Sequence, residues 1–149
     1  MDRPAVIGKG QITDVSPITN ASSNEFQFLV AGLRSKIDDR LTKLLPFKPE
    51  DPGLKGAIAH GAFSPGKRLR PLITMLACRQ CGGDPAAALD AACAVEMIHA
   101  ASLMIDDLPC MDDARLRRND VTTHIAYGEG VSILAAVTLV NEAFNTLMK

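Results

Sequence analysis

Net charge is what this sequence has least of. Its 149 residues carry 16 lysines and arginines against 17 aspartates and glutamates, a balance of −1. That excludes bulk attraction to nucleic acid or to a membrane surface, so any functional charge must be local. No Arg/Lys-led apolar segment opens the chain, and no secretory signal is expected. The most apolar late stretch, Val131 to Met148, is interrupted by Ser132, Thr138, Asn141, Glu142 and Asn145. It reads as a buried or half-buried helix, too polar for stable membrane insertion. Cysteines number four. Cys78 and Cys81 form a CxxC, but no second close Cys/His pair and no preceding strand accompany it. Zinc or thioredoxin-like chemistry is therefore set below the simpler reading of two small residues near a helix end, in a reduced, cytoplasmic setting. Strands of useful length, internal repeats and low-complexity tracts are also missing.

What is present is apolar periodicity. Hydrophobic residues make up 47% of the chain, enough for one domain with a real core. Residues 1–21 show no period and read as a loose N-terminal arm, leaving 22–149 as the helical domain. Ser22 with Glu25 has capping-box spacing. Behind it Phe26, Leu29, Val30, Leu33, Ile37, Leu41, Leu44 and Leu45 recur at threes and fours until Pro46 stops the helix. A short helix is expected near Leu54 to Ala62, and another from about Arg70 to Arg79, ended by Gly82-Gly83. Asp84-Pro85 starts a long helix that runs to about Asp107, and the last helix starts near Gly130. Arg115 to Gly130 reads as a loop or a loop with a short helix. The fold class is all-α, with about five helices.

The local charge sits in three clusters. "GKRLR" places Lys67, Arg68 and Arg70 at a predicted helix N-terminus, where free N–H groups and the helix dipole favour phosphate. "SLMIDDLPCMDD" ends the long helix with Asp106, Asp107, Asp112 and Asp113. Carboxylates oppose the dipole there, so as mere decoration they are poorly placed. As hard oxygen ligands they suit Mg²⁺ shared with a diphosphate. Arg115, Arg117 and Arg118 follow directly. On the long helix Glu96, His99, Leu103 and Asp106 step by threes and fours and share a face, His99 lying about 10 Å below Asp106. Two basic clusters around an acidic one describe a pocket for two polyanions, one held through metal and one by bases.

In these motifs the chain resembles the trans-isoprenyl diphosphate synthases. "GKRLRP", "EMIHAASLMIDDLPCMDDARLRR" and "HIAYGEGVSILAAV" are similar to the N-terminal half of that family, nearest to bacterial geranylgeranyl diphosphate synthases, over roughly residues 60 to 147. The resemblance implies the N-terminal half of the isoprenoid-synthase helical bundle and Mg²⁺-dependent prenyl transfer from an allylic diphosphate to isopentenyl diphosphate, of geranylgeranyl or farnesyl type. Carried over by position, Asp106, Asp107 and Asp112 would hold Mg²⁺, with Asp113 an accessory at best. Arg117 would hold the allylic diphosphate, and with Asp106 and Asp112 would form the catalytic set. Lys67, Arg70, His99 and Arg118 would hold isopentenyl diphosphate. Arg68 and Arg115 receive no role and are expected to be surface charges. Ala101 and Ser102, about 6–8 Å below Asp106, would set product length. Both are small, which favours a C20 over a C15 product. A homodimer is implied.

Two departures qualify this. The family usually continues from its arginine pair with Gly-x-Pro, where this chain has Asn119-Asp120-Val121. That leaves the local loop path open and puts Asp120 near a phosphate site. The family's second aspartate-rich motif lies in a half that these 149 residues do not include, and the last helix stops at Lys149 without a cap. The chain alone is expected to show little synthase activity. The alternative is a non-catalytic, synthase-like protein that binds diphosphates or pairs with a full-length partner. The Asn119-Asp120-Val121 drift speaks for that alternative, and the presence of every aspartate and both arginines speaks for the enzyme.

Overall fold

A computed structural model describes residues 23–148. The expected arm and the Ser22 cap lie outside them. Helix α1 spans Ser23–Leu44, α2 Leu54–Ala62, α3 Leu69–Gln80, α4 Leu89–Asp106, α5 Thr123–Tyr127 and α6 Glu129–Leu147. Between α5 and its predecessor the chain makes two short strands, β1 Leu116–Arg117 and β2 Asp120–Val121. The fold is an all-α bundle, with six α-helices among the described residues where the periodicity predicts about five.

In α1 the fourfold series Leu33, Ile37 and Leu41, continued by Leu45 just past its end, is buried, while Phe26 and Phe28 face solvent. The predicted stripe thus turns inward only from its second turn onward. In the following loop the Tyr127 hydroxyl donates to the Pro49 carbonyl at 2.7 Å and ties the loop to α5. A Cβ on Gly56 would lie 2.0 Å from the Asp51 carbonyl oxygen, so that loop can close over α2 only above a glycine.

Asp84 does cap, accepting from the Ala86 amide at 2.9 Å, but it opens a 3₁₀ turn over Pro85–Ala88 and not α4 itself. Helix α4 occupies the centre, touching α1, α2, α3 and α6, with its most extensive interface on α6. That interface is built from small residues, Ala94, Ala100 and Ala101 on α4 and Ala135, Ala136 and Ala143 on α6, all buried. Small side chains let two helices approach closely and fill the gap with backbone. Arg40 fixes α1 to α4 through two bonds to Asp90, Nε to Oδ1 at 2.7 Å and Nη2 to Oδ2 at 3.0 Å.

The segments Pro85–Asp106 and Glu129–Leu147 are long and apolar enough to cross a membrane by length and composition. The polar interruptions that argued against this in the last helix are too sparse to change its average. In the fold the two segments are the core pair, and the first carries Glu96 in a buried ion pair. The cysteines are free: Cys81 and Cys110 are exposed and Cys78 is half-buried. Burial and nearby acids push the Cys93 thiol up to about 12, which keeps it protonated and inert.

Candidate functional site

The aspartate motif begins where α4 runs out of hydrogen-bond partners. Four carbonyls at a helix C-terminus need donors, and the chain supplies them by folding back: the Asp112 amide donates to the Asp106 carbonyl at 2.9 Å and the Ala114 amide to the Asp107 carbonyl at 3.2 Å. This return brings Asp112 beside Asp106. Leu108 is buried beneath the turn, while Asp112 and Asp113 face solvent and Asp106 is half-buried.

Asp107 points the other way. It is 4% exposed, and Arg117 donates from Nε to both carboxylate oxygens, at 2.8 and 3.0 Å. Arg117 Nη2 stands 2.6 Å from Oδ1. Asp107, carried over as a Mg²⁺ ligand with Asp106 and Asp112, is thus paired with Arg117 here, as a buried carboxylate requires. The bond to Asp107 raises the Arg117 pKa. Burial opposes this, and the charges of Asp107, Asp106 and Asp112 add to it.

Arg117 and Arg118 are neighbours that serve opposite sides. Leu116 pairs with Val121 and Arg117 with Asp120, which leaves Arg118 and Asn119 as the two turn residues. Both have left-handed backbones, φ 53° and 67°, as a type I′ turn requires. Asn119 is one of the few non-glycine residues that accept that conformation readily. The departure at Asn119-Asp120-Val121 thus builds a defined hairpin. Asp120 turns toward His60, 4.0 Å from its Nε2, and does not line the basic pocket. His60 Nδ1 in turn lies 3.1 Å from the Thr123 hydroxyl, and the Thr122 hydroxyl donates to the Ala114 carbonyl at 2.7 Å. Neither His60 nor these threonines was singled out from the sequence, since their meaning depends on a long-range contact.

Arg118 reaches from the turn to the Pro65 carbonyl. It joins Lys67, Arg70 and His99 around one open pocket of about 540 Å³. All four residues assigned to one diphosphate thus converge, although they come from three separate stretches of chain. Arg70 Nη1 is 3.1 Å from His99 Nε2. A guanidinium can only donate, so Nε2 accepts and the imidazole is neutral with its proton on Nδ1. Burial lowers the His99 pKa, and the positive charges of Arg70, Arg118 and Arg117 lower it further against an opposing pull from Glu96.

Arg68 corrects the sequence reading. It is not a surface charge: it is 9% exposed, donating from Nε to Asp38 at 2.9 Å and from Nη1 to Glu96 at 3.0 Å. Burial alone would lower its pKa, but the bonds to Asp38 and Glu96 hold it above the ordinary arginine value. Arg115 is exposed, as expected.

The shared face on α4 is divided among neighbours. Glu96 and His99 line the basic pocket. Leu103 lines a small cavity of about 30 Å³ beside Asp107, Arg117 and His60. Asp106 stands at the rim of an apolar groove of about 560 Å³ between α4 and α6. Ala101 and Ser102 also line that groove, opposite Val137 and Val140.

Among the described residues no three His, Cys, Asp or Glu side chains form a closed metal cage. Mg²⁺ does not need one. It is usually held by one or two carboxylates plus substrate phosphates and water, and adjacent Asp106 and Asp112, with no ion pair among the described residues, fit that donor set.

A family described as polyprenyl synthetase matches residues 51–149. A geranylgeranyl diphosphate synthase of Pantoea ananas is 50% identical over 117 residues, covering 77% of this chain and 39% of that protein. A mitochondrial geranylgeranyl pyrophosphate synthase of Arabidopsis thaliana is 39% identical over 126 residues, covering 83% of this chain and 37% of that one. Among solved structures, an FPP/GFPP synthase of Zymomonas mobilis superposes with a TM-score of 0.77 at 35% identity, over 86% of this chain and 46% of that one. A geranyltransferase of Legionella pneumophila gives 0.79 at 29% identity, covering 86% and 45%. The chain thus spans about two fifths of the length of the curated relatives it matches.

Proposed function

The chain belongs to the polyprenyl synthetase family, and on that premise we propose that its residues form the Mg²⁺- and diphosphate-binding wall of a prenyltransferase of isoprenoid biosynthesis, of geranylgeranyl diphosphate synthase type. The observation that carries this reading is the convergence of Lys67, Arg70, His99 and Arg118 on one pocket, with Arg117 on the other side of the same hairpin turned to the aspartates.

In this reading Lys67, Arg70 and Arg118 grip the diphosphate of isopentenyl diphosphate. His99 holds Arg70 in place as a neutral acceptor. Arg117, fixed by Asp107, presents its remaining charge to the diphosphate of the allylic substrate. Asp106 and Asp112 hold Mg²⁺. The metal, when bound, supplies neutralisation of the charge that builds on the departing diphosphate. The α4–α6 groove takes the apolar chain, and Ala101 and Ser102 leave it open next to Asp106, which favours a longer product. In transfer the allylic C–O bond breaks, a carbon–carbon bond forms to the double bond of isopentenyl diphosphate, and a proton leaves. The protein works as a dimer in a reducing, cytoplasmic setting. The 149 residues by themselves turn over little substrate, since their aspartates supply one side of the metal cluster.

The test is calorimetric titration of an allylic diphosphate with and without Mg²⁺. Replacing Asp106 and Asp112 with alanine should weaken the Mg²⁺-dependent part of binding by about tenfold or more, and unchanged binding would sink the ligand assignment. Robust prenyl product from the 149-residue chain alone would overturn the expected dependence on further residues.

A further inference from the structure

A carboxylate in the wall of an anion pocket needs an explanation. Glu96 lines the same pocket as Lys67, Arg70 and Arg118 and is 7% exposed. At a protein surface the effective dielectric is below that of bulk water, so one negative charge beside a bound diphosphate repels it more strongly than it would in free solution. Unpaired, such a carboxylate would also carry a desolvation cost. Its partner is Arg68, 3.0 Å away, which is buried as deeply and is held from its other side by Asp38 of α1. Removing the Glu96 charge from the ligand's view thus consumes one of the pocket's four cations. Lys67, Arg70 and Arg118 are the charges left to face solvent.

The backbone shows the same residue under constraint. Arg68 caps α3 in the left-handed conformation, φ 49°, which costs a non-glycine residue about 1 kcal/mol. A buried side chain anchored to two other helices is what holds such a residue there. Gly66, two positions earlier, lies directly under Arg118: a Cβ there would come 2.6 Å from its Nη1 and push the guanidinium aside. The loop from Pro65 to Arg70 is held by Arg68 underneath, through Asp38 and Glu96, and by Arg118 above, through the Pro65 carbonyl.

We propose that Arg68 is a positioning residue, the internal counter-charge that offsets Glu96 inside the pocket, while its other partner, Asp38, lies outside the lining, and so keeps the pocket of Lys67, Arg70 and Arg118 net attractive to a diphosphate. The inference rests on reading that pocket as a diphosphate site. The experiment is titration of inorganic diphosphate into the 149-residue chain and its variants, with folding followed by circular dichroism. Glu96→Gln decides. Its amide carbonyl still accepts from Arg68 Nη1, so the geometry stays while one negative charge goes, and binding should tighten about threefold. Arg68→Met should weaken binding about tenfold, and adding Glu96→Gln to it should recover most of that loss. An affinity that Glu96→Gln leaves unchanged or lowers would show that there is no Glu96 charge at the ligand for Arg68 to offset, and overturns the proposal even if Arg68→Met fails to fold. Failure of Glu96→Gln to recover the Arg68→Met loss in a folded double variant would leave Arg68 a structural peg and overturns it too. Lys67→Ala controls the reading beneath. Wild-type binding that Lys67→Ala abolishes, together with no gain from Glu96→Gln, sinks the counter-charge and spares the pocket. A wild-type chain that binds no diphosphate sinks both.

Discussion

The two sides of the β1–β2 hairpin solve opposite electrostatic problems. On the Arg118 side, cations crowd a pocket, and the fold locks one of them, Arg68, onto two acids while a neutral histidine braces another. On the Arg117 side, carboxylates crowd a helix end, and among the described residues Asp107 has an ion-pair partner while Asp106 and Asp112, brought together by the backbone return, have none. The basic side is largely organised before any ligand arrives. The acidic side keeps two charges that a cation can satisfy. A diphosphate site gains from rigid donors that need no reorganisation, whereas a Mg²⁺ site needs a few free oxygens and room for water.

Breaking the one pair on the acidic side should produce the largest effect. Arg117→Ala leaves the buried Asp107 carboxylate without its partner and should cost about 3 kcal/mol of unfolding free energy, read from a denaturant melt. Asp107→Asn in the same background should return part of it, which a plain loss of packing would not do. A smaller effect is expected on the basic side. Gly66→Ala would press on the far end of a flexible arginine and not on backbone. Stability should stay within about 0.5 kcal/mol, while displacement of Arg118 from Pro65 weakens diphosphate binding a few-fold. An equal loss of stability would show that the loop, and not Arg118, carries the effect. The smallest effect concerns His99. Its pKa in the fold lies below the ordinary 6.5, so the unfolded chain binds the proton more readily than the folded one. The stabilisation is therefore complete above about pH 6.5 and is lost as pH falls through the folded value. Proton–nitrogen NMR should find His99 titrating below 6.5, and Arg70→Ala should raise its pKa by removing a neighbouring positive charge. A His99 pKa at or above 6.5 in the wild type would contradict the neutral Arg70–His99 arrangement.

Much of this was legible along the chain. The i, i+4 series of α1 and the Pro46 stop reflect local sterics and one buried face, so α1 was predictable to within a residue or two. The basic and acidic motifs were visible because like charge packed so densely is costly without a ligand. The hairpin was not visible: two-residue strands have no period to detect, and Arg118 is an unusual occupant of a left-handed turn position. Nor was the role of Arg68. In "GKRLR" it looks like its neighbours, and only the arrival of Asp38 and Glu96 from α1 and α4, 30 and 28 residues away, separates an inward arginine from outward ones.

By itself the sequence determined most of the helices, their order, and where acidic and basic residues cluster, because propensity, periodicity and charge density act over a few residues. The tertiary structure decided which charges are paired inside the protein and which are not: Asp107 and Arg68 are buried with partners, while Asp112, Lys67, Arg70 and Arg118 face solvent and Asp106 is half-buried. Burial forces a charge to find a partner, and burial is a property of the folded chain alone.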